Sequence, residues 1–165
     1  MHVEHFMTNE VISCDVEASV GDVARMMKDK NVGCVVVVDG GKVAGIVTDR
    51  QLACHVLADN KGADTSISEV MTKDPVCATL DDNLFNVLDT LKTSGMVRRV
   101  PVVDRDGKLA GIVSISDIAA IAKEINDVLL MEELRNSTAV PKVFTGAQRL
   151  EEEISRDRRP IEARR

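Results

Sequence analysis

A repeated pattern constrains the fold of this chain more than any other feature of its sequence. Residues 42–53 (KVAGIVTDRQLA) align with residues 108–119 (KLAGIVSISDIA), with identical residues at half of the positions. A shorter match precedes both copies, since Met7-Thr8 recurs as Met71-Thr72. Such a duplication predicts two copies of one structural unit. The two copies are expected to share a core, because a unit of about 60 residues buries too little surface to be stable alone.

Each copy predicts the same order of elements, β-α-β-β-α. An extended segment (residues 11–15 or 76–80) precedes a helix with apolar residues three and four positions apart, and Ser19 or Asn83 is placed to cap that helix. A β-branched run and a glycine turn then predict a hairpin, and a second helix follows it. The apolar helix positions are Val20, Val23, Ala24 and Met27 in the first copy and Leu84, Val87, Leu88 and Leu91 in the second.

The repeats divide the chain into three parts. The predicted boundaries are 1–63 for the first repeat with its N-terminal segment, 64–125 for the second repeat, and 126–165 for a C-terminal helical extension. Apolar residues at helical spacing continue the last predicted helix until Asn136 and Pro141 interrupt it. Two interpretations stay open for the extension, a helix packed or exchanged at an interface and a solvated tail.

Composition excludes several kinds of partner. Aromatic residues make up 2% of the chain, without Trp or Tyr, so stacking platforms for single-stranded nucleic acid are not expected. The net charge of −6 also argues against binding to a phosphate backbone. The first residues lack the pattern of a signal peptide, and no apolar run reaches the length of a membrane span. We therefore expect a cytoplasmic protein without nucleic-acid or membrane partners.

The sequence contains no recognisable catalytic or metal-binding motif. The four cysteines include no Cys-x-x-Cys pair, so we expect reduced structural thiols, no metal site and no covalent cofactor. A glycine-rich phosphate loop, a His-Glu-x-x-His motif and a serine elbow are all missing. These observations predict that the chain is not an enzyme.

The two copies resemble a known domain. The second copy carries VRRVPVVD at residues 97–104 and GIVSISD at residues 111–117, a pattern that resembles the CBS domain, named for cystathionine β-synthase. The first copy resembles it too, so residues 7–125 are similar to a tandem CBS pair, or Bateman module. The resemblance implies an α+β fold of two CBS repeats packed with pseudo-two-fold symmetry. It also implies a non-catalytic regulatory module that binds an adenosyl ligand (AMP, ADP, ATP, NAD or S-adenosylmethionine), with Mg²⁺ left open. A homodimer formed through the helices and an associated enzyme or transporter are the implied assemblies.

The second copy supplies the chemistry that a nucleotide site requires. Asp117 can accept hydrogen bonds from ribose hydroxyls, while Ser114 and the N-terminus of the following helix can donate to a phosphate. Arg98 and Arg99 offer guanidinium donors for phosphate oxygens, although both also fit a role as surface charges. By resemblance, the base would lie beside the other copy, near Ile12, Ser13, Cys14, Val32 and Gly33, with Ile112 behind it.

The same polar residues also fit a purely structural role. Ser114 and Asp117 have the spacing of a helix capping box, and so do Thr48 and Gln51. Gln51 stands where the family motif usually has the ribose-binding aspartate, and an uncharged amide binds a hydroxyl more weakly. We expect one stronger site at Asp117 and one weaker site. The alternative is a ligand-free scaffold that acts through residues 126–165. The weaker site would comprise Thr48, Gln51, Cys77, Met96 and Val97.

Overall fold

The computed structural model describes residues 1–94 and 97–136 of the chain. Residues 1–121 form one compact unit. Met96 and the predicted extension beyond residue 136 lie outside the described residues. Within the part of the chain that the structure describes, no helix combines the length and the apolar character needed to cross a membrane.

The structure confirms the predicted repeat of strands and helices. A four-stranded sheet has the order β1-β2-β3-β4, and a three-stranded sheet has the order β5-β6-β7. In each sheet the first pair of strands is parallel and the hairpin that follows is antiparallel. The first repeat contains β1 (Ser13–Asp15), α1 (Val20–Lys30), β2 (Cys34–Asp39), β3 (Lys42–Thr48) and α2 (Asp49–Leu52, extended by a π-helical turn, Ala53–Leu57), and its sheet is completed by β4 (Thr72–Lys73) from the leading segment of the second repeat. The second contains β5 (Ala78–Thr79), α3 (Leu84–Thr93), β6 (Arg99–Val103), β7 (Leu109–Ser114) and α4 (Ile115–Asn136).

Side chains at the predicted cap positions begin the first helix of each repeat. The hydroxyl oxygen of Ser19 accepts a hydrogen bond from the Asp22 amide at 3.1 Å. The side-chain oxygen of Asn83 accepts hydrogen bonds from the amides of Phe85 and Asn86 at 2.9 and 3.1 Å. Each cap satisfies backbone donors that have no partner inside the helix, so both predictions are confirmed.

The two hydrophobic cores draw on segments that interleave along the chain. Val3 is fully buried in the core of the second repeat, where Met7 packs beside it. Ile67 and Val70 are buried in the core of the first repeat, with Met71 packed against it. Each core therefore recruits a segment from the other side of the predicted boundary between residues 63 and 64. Helix α4 also continues past residue 125.

A pseudo-two-fold axis relates the repeats and runs between two equivalent lysines. Lys42 and Lys108 form an isolated antiparallel bridge. The Val43 amide donates to the Gly107 oxygen at 3.4 Å, and the Leu109 amide donates to the Gly41 oxygen at 3.2 Å. These two bonds exchange places when the repeats are exchanged, which confirms the predicted symmetry.

The leading segments of the repeats dock in the same symmetric way. Thr72 pairs with Ile46 on β3, and Thr8 pairs with Ile112 on β7. The recurrence of Met-Thr in the sequence thus marks the residues that extend each sheet beyond its hairpin.

Candidate functional site

A cleft of about 310 Å³ lies between the two repeats and collects most of the predicted site residues of the second copy. Its first wall comes from the residues just before β1, from the turn between α1 and β2, and from the start of β2. Its second wall comes from β6, β7, the start of α4 and the N-terminal segment. The lining residues are Val11, Ile12, Asn31, Val32, Gly33 and Cys34 on the first wall, and Thr8, Glu10, Arg99, Ile112, Ser114 and Asp117 on the second.

Asp117 and Ser114 form a capping box in the wall of this cleft. Asp117 Oδ2 accepts hydrogen bonds from the Ser114 amide and from the Ser114 hydroxyl, both at 2.7 Å. The Asp117 amide donates to Ser114 Oγ at 3.3 Å. Among the described residues, no donor reaches Oδ1, the second carboxylate oxygen. One half of the carboxylate therefore closes the helix, while the other half keeps its capacity to accept a hydrogen bond.

The equivalent residues of the first repeat use their polar groups internally. Gln51 Oε1 accepts hydrogen bonds from the Thr48 amide and hydroxyl at 3.0 and 3.1 Å. Gln51 Nε2 donates to Thr72 Oγ1 at 2.9 Å and, at 3.5 Å, to the oxygen of Val70. Both ends of this amide are thus occupied by protein partners, unlike the carboxylate of Asp117.

The two predicted arginines separate in the structure. Arg99 is half-buried at the first position of β6, opposite Ser114 in the strand register, and lines the cleft. Arg98 is exposed and does not line it; its backbone oxygen accepts from the Ile115 amide at 3.1 Å. Neighbouring residues of extended chain point in opposite directions, so one arginine enters the cleft and the other leaves it.

Arg99 has no carboxylate partner among the described residues. The ion pairs found there are Arg25 with Asp22 and Arg105 with Asp81, both on the surface. A half-buried guanidinium that no acid neutralises can bind an anionic or carbonyl group of a ligand, because all of its N–H groups remain available.

The residues predicted to surround a base divide between the cleft and its surroundings. Ile12, Val32, Gly33 and Ile112 line the cleft. Cys14 is buried in the first core instead. Ser13 lines a separate cavity of about 290 Å³. Alternation along β1 explains why Cys14 turns into the core while its neighbour turns away from it.

The residues predicted for a weaker site are only partly gathered. Thr48 and Gln51 meet in their capping box. Cys77 is half-buried, and its thiol donates to the oxygen of Pro75 at 3.3 Å. Val97 packs against the second core. Met96 lies outside the described residues.

Several lining residues escaped the sequence prediction. Thr8 carried a usable signal in the sequence, since the recurrence of Met-Thr marks it as the equivalent of Thr72 in the other repeat. Asn31 carried a second signal, because it ends α1 in the left-handed conformation with φ of 52°, a position where asparagine is favoured. Glu10, Val11 and Cys34 lie close to the predicted site residues Ile12 and Gly33 in the sequence, although none of the three was predicted.

The thiol of Cys34 is neutral at physiological pH. Burial raises its pKa from the ordinary value of 9.0 to about 11, the Arg99 guanidinium opposes that rise, and the carboxylate of Asp49 adds to it. The cleft thus contains a protonated thiol beside its single guanidinium. Among the described residues, no group of three or more histidine, cysteine or acidic side chains could hold a metal ion.

Comparison with known proteins identifies the repeated unit. The model of the CBS domain family matches residues 3–57 and residues 67–124. A 17.7 kDa protein of Acidianus ambivalens is 35% identical over 69 residues, which cover 42% of this chain and 42% of that protein. The CBS domain-containing protein CBSCBSPB3 of Arabidopsis thaliana is 32% identical over 89 residues, which cover 53% of this chain and 16% of that protein. The alignments span less than half the length of both relatives.

A solved structure shares both the fold and the arrangement of repeats. The CBS domain pair of protein MJ0100, in complex with 5′-methylthioadenosine and S-adenosyl-L-methionine, superposes with a TM-score of 0.67 at 26% identity. The superposition covers 75% of this chain and 97% of that chain. The duplicated elements, the symmetric docking of the Met-Thr segments and the family match over more than half of the residues together show that this chain belongs to the CBS domain family.

Proposed function

We propose that this CBS pair is a non-catalytic regulatory module that binds one adenosyl ligand in the cleft lined by Asp117. The observation that carries the proposal is the pairing of two unsatisfied groups in one cleft, Asp117 Oδ1 and the Arg99 guanidinium. A ribose needs an acceptor for its hydroxyls, and the 5′ substituent needs a donor. The apolar side chains of Ile12, Val32 and Ile112 supply a slot for the base. The complex of the MJ0100 pair with two adenosyl compounds supports this class of ligand.

The proposed ligand binds one site more tightly than the other. Gln51 occupies the position equivalent to Asp117, but its amide is saturated by Thr48 and Thr72. A ligand in the first repeat would have to break these bonds before it gained its own. We therefore infer a stoichiometry of one ligand per chain.

Calorimetric titration tests the proposal with the isosteric variant Asp117→Asn. Asparagine keeps an oxygen for the Ser114 cap and replaces the second acceptor by an NH₂ donor, so the helix stays capped while the ribose loses its charged acceptor. A hydrogen bond to a charged group contributes about 1.5–3 kcal/mol, so affinity for S-adenosylmethionine, 5′-methylthioadenosine or AMP should fall at least about tenfold.

Gln51→Ala is the matched control, because it removes the equivalent capping residue and should leave affinity and stoichiometry unchanged. Equal affinity in wild type and Asp117→Asn would remove Asp117 from the site. Failure of every adenosyl compound to bind the wild type would instead favour a scaffold that acts through residues 126–165.

We further propose that two copies assemble through the helices of the first repeat. An apolar groove of about 410 Å³ lies between α1 and α2, and its lining includes Ala24, Met27, Leu52 and Leu57. Leu57, which is 75% exposed, extends the apolar surface of this groove, and contiguous apolar surface is typical of interfaces. Such a dimer would present the module to an enzyme or transporter that the module regulates. Sedimentation equilibrium measures whether the dimer forms.

A further inference from the structure

The charges that line the cleft are unequal in number. Two carboxylates, Glu10 and Asp117, face a single guanidinium, Arg99. Every other lining side chain is uncharged, since the thiol of Cys34 is protonated at neutral pH. The lining therefore carries one net negative charge before any ligand enters.

Within residues 1–94 and 97–136, no further cation lines the cleft to compensate for this imbalance. Lysine is missing from the lining residues, and Arg98 is exposed outside it. Another carboxylate lies directly behind the first wall, because a Cβ added to Gly33 would come within 3.1 Å of Asp49 Oδ2. A triphosphate brings roughly four negative charges, and one guanidinium cannot neutralise them in the presence of these acids.

Glu10 is a second carboxylate of the cleft lining that can act on a ligand, and unlike Asp117 it caps no helix. It is exposed, and among the described residues it takes part in no side-chain hydrogen bond or ion pair. It lies two residues after Thr8, whose backbone is fixed to Ile112 on β7 by bonds of 2.9 and 3.0 Å. Its backbone is thus anchored beside the cleft, while its carboxylate remains unpaired.

We propose that Glu10 determines specificity in the adenosyl site, selecting a ligand whose 5′ substituent carries positive charge and no phosphate. This inference rests on the proposed function. An S-adenosyl amino acid fits the charges present. Its negative α-carboxylate can pair with Arg99, and its positive ammonium and sulfonium groups are attracted by Glu10. A nucleotide with a phosphate chain is repelled by the same carboxylate.

Calorimetry at low salt with Glu10→Gln tests this assignment. The wild type should bind S-adenosylmethionine more tightly than 5′-methylthioadenosine, and ATP least tightly. An exposed ion pair changes affinity about two- to fivefold, so the variant should weaken S-adenosylmethionine by that factor and strengthen ATP by a similar one. The neutral 5′-methylthioadenosine should be unaffected. In about 1 M salt, where charges are screened beyond about 3 Å, the differences should disappear.

Glu4→Gln is the matched control, because Glu4 is an exposed acid of the same N-terminal segment that lines a different cavity. It should leave all affinities unchanged. An unchanged ratio of S-adenosylmethionine to ATP affinity in Glu10→Gln, or tighter binding of ATP by the wild type, would overturn the role of Glu10 and leave the Asp117 site intact. If none of the adenosyl compounds binds, the site itself is refuted.

Discussion

Asp117 and Gln51 occupy equivalent positions in the two repeats but distribute their hydrogen bonds differently. Both close a helix through a capping box. The carboxylate of Asp117 does so with one oxygen. The amide of Gln51 uses both ends, because its oxygen accepts from Thr48 and its nitrogen donates to Thr72. Helix capping and ligand binding are therefore compatible at Asp117, since the two roles use different atoms of one side chain.

At the same scale, the thiol of Cys34 should react slowly with alkylating reagents. Its pKa is raised to about 11, so only about one thiol in a thousand is ionised at pH 8. Its rate with iodoacetamide, followed by mass spectrometry, should rise about tenfold per pH unit and level off near pH 11. Exposed Cys54 provides the internal reference. Reaction of Cys34 as fast as Cys54 at pH 8 would contradict the burial of this thiol.

The raised pKa of Cys34 also makes the free energy of unfolding depend on pH. The folded state holds the thiol proton more tightly than the unfolded state, whose pKa is near the ordinary value of 9.0. The protonated thiol therefore contributes fully to the stability of the folded state below pH 9, and this stabilisation is lost as the pH rises through about 11.

Cleft residues that follow from spacing could be predicted from the sequence, whereas those that depend on side-chain direction could not. Ser114 and Asp117 share the start of one helix, so their proximity could be predicted. Arg98 and Arg99 could not be told apart, because the strand phase that sends one into the cleft is set by pairing with β7. The phase of β1, which is set by its pairing with β2, separates Cys14 from the cleft in the same way.

At the scale of elements, two equivalent glycines allow the Met-Thr segments to dock. A Cβ on Gly111 would overlap the side chain of Met7 and lie 3.1 Å from the oxygen of Thr8. A Cβ on Gly45 would overlap Met71 and lie 3.0 Å from the oxygen of Thr72. Side chains at these positions are excluded by the neighbouring segment rather than by the backbone conformation of the glycine.

Gly111→Ala and Gly45→Ala should each lower stability by about 1–3 kcal/mol, because the added methyl group overpacks a tight contact. Denaturant unfolding measures both losses. Only Gly111→Ala displaces Thr8, which lines the cleft, so only this variant should also lower the affinity for the adenosyl ligand. Unchanged stability in both variants would show that the Met-Thr segments can shift without cost. Equal effects of the two variants on ligand affinity would show that Thr8 has no part in the site.

Element order could be predicted from the sequence because patterning within each repeat is local. Valine runs mark β2 and β6, and three- and four-residue spacing marks α1 and α3. The burial of Val3 in the second core could not be predicted in this way. It depends on long-range pairing between the start of the chain and the residues before α3, where the Val3 amide donates to the Asp82 oxygen at 2.9 Å, and no local period records such a contact.

At the scale of the molecule, the interleaved cores should unfold as one unit. Val3→Ala removes buried methyl groups from the second core and Ile67→Val removes one from the first, so losses of about 2 and 1 kcal/mol are expected. In a domain of this size these losses lower the Tm by about 6 and 3 °C. Calorimetry should show a single transition that both variants move. Two transitions, each moved by one variant only, would show that the repeats fold independently.

The short length of chain between Thr8 and Ser13 is tied at both ends, to β7 by Thr8 and to β2 by Ser13. Glu10, Val11 and Ile12, which form its middle, are also part of the cleft lining. An adenosyl ligand bound at the proposed site would therefore contact a segment that is paired with both sheets, so its binding would bear on both repeats directly.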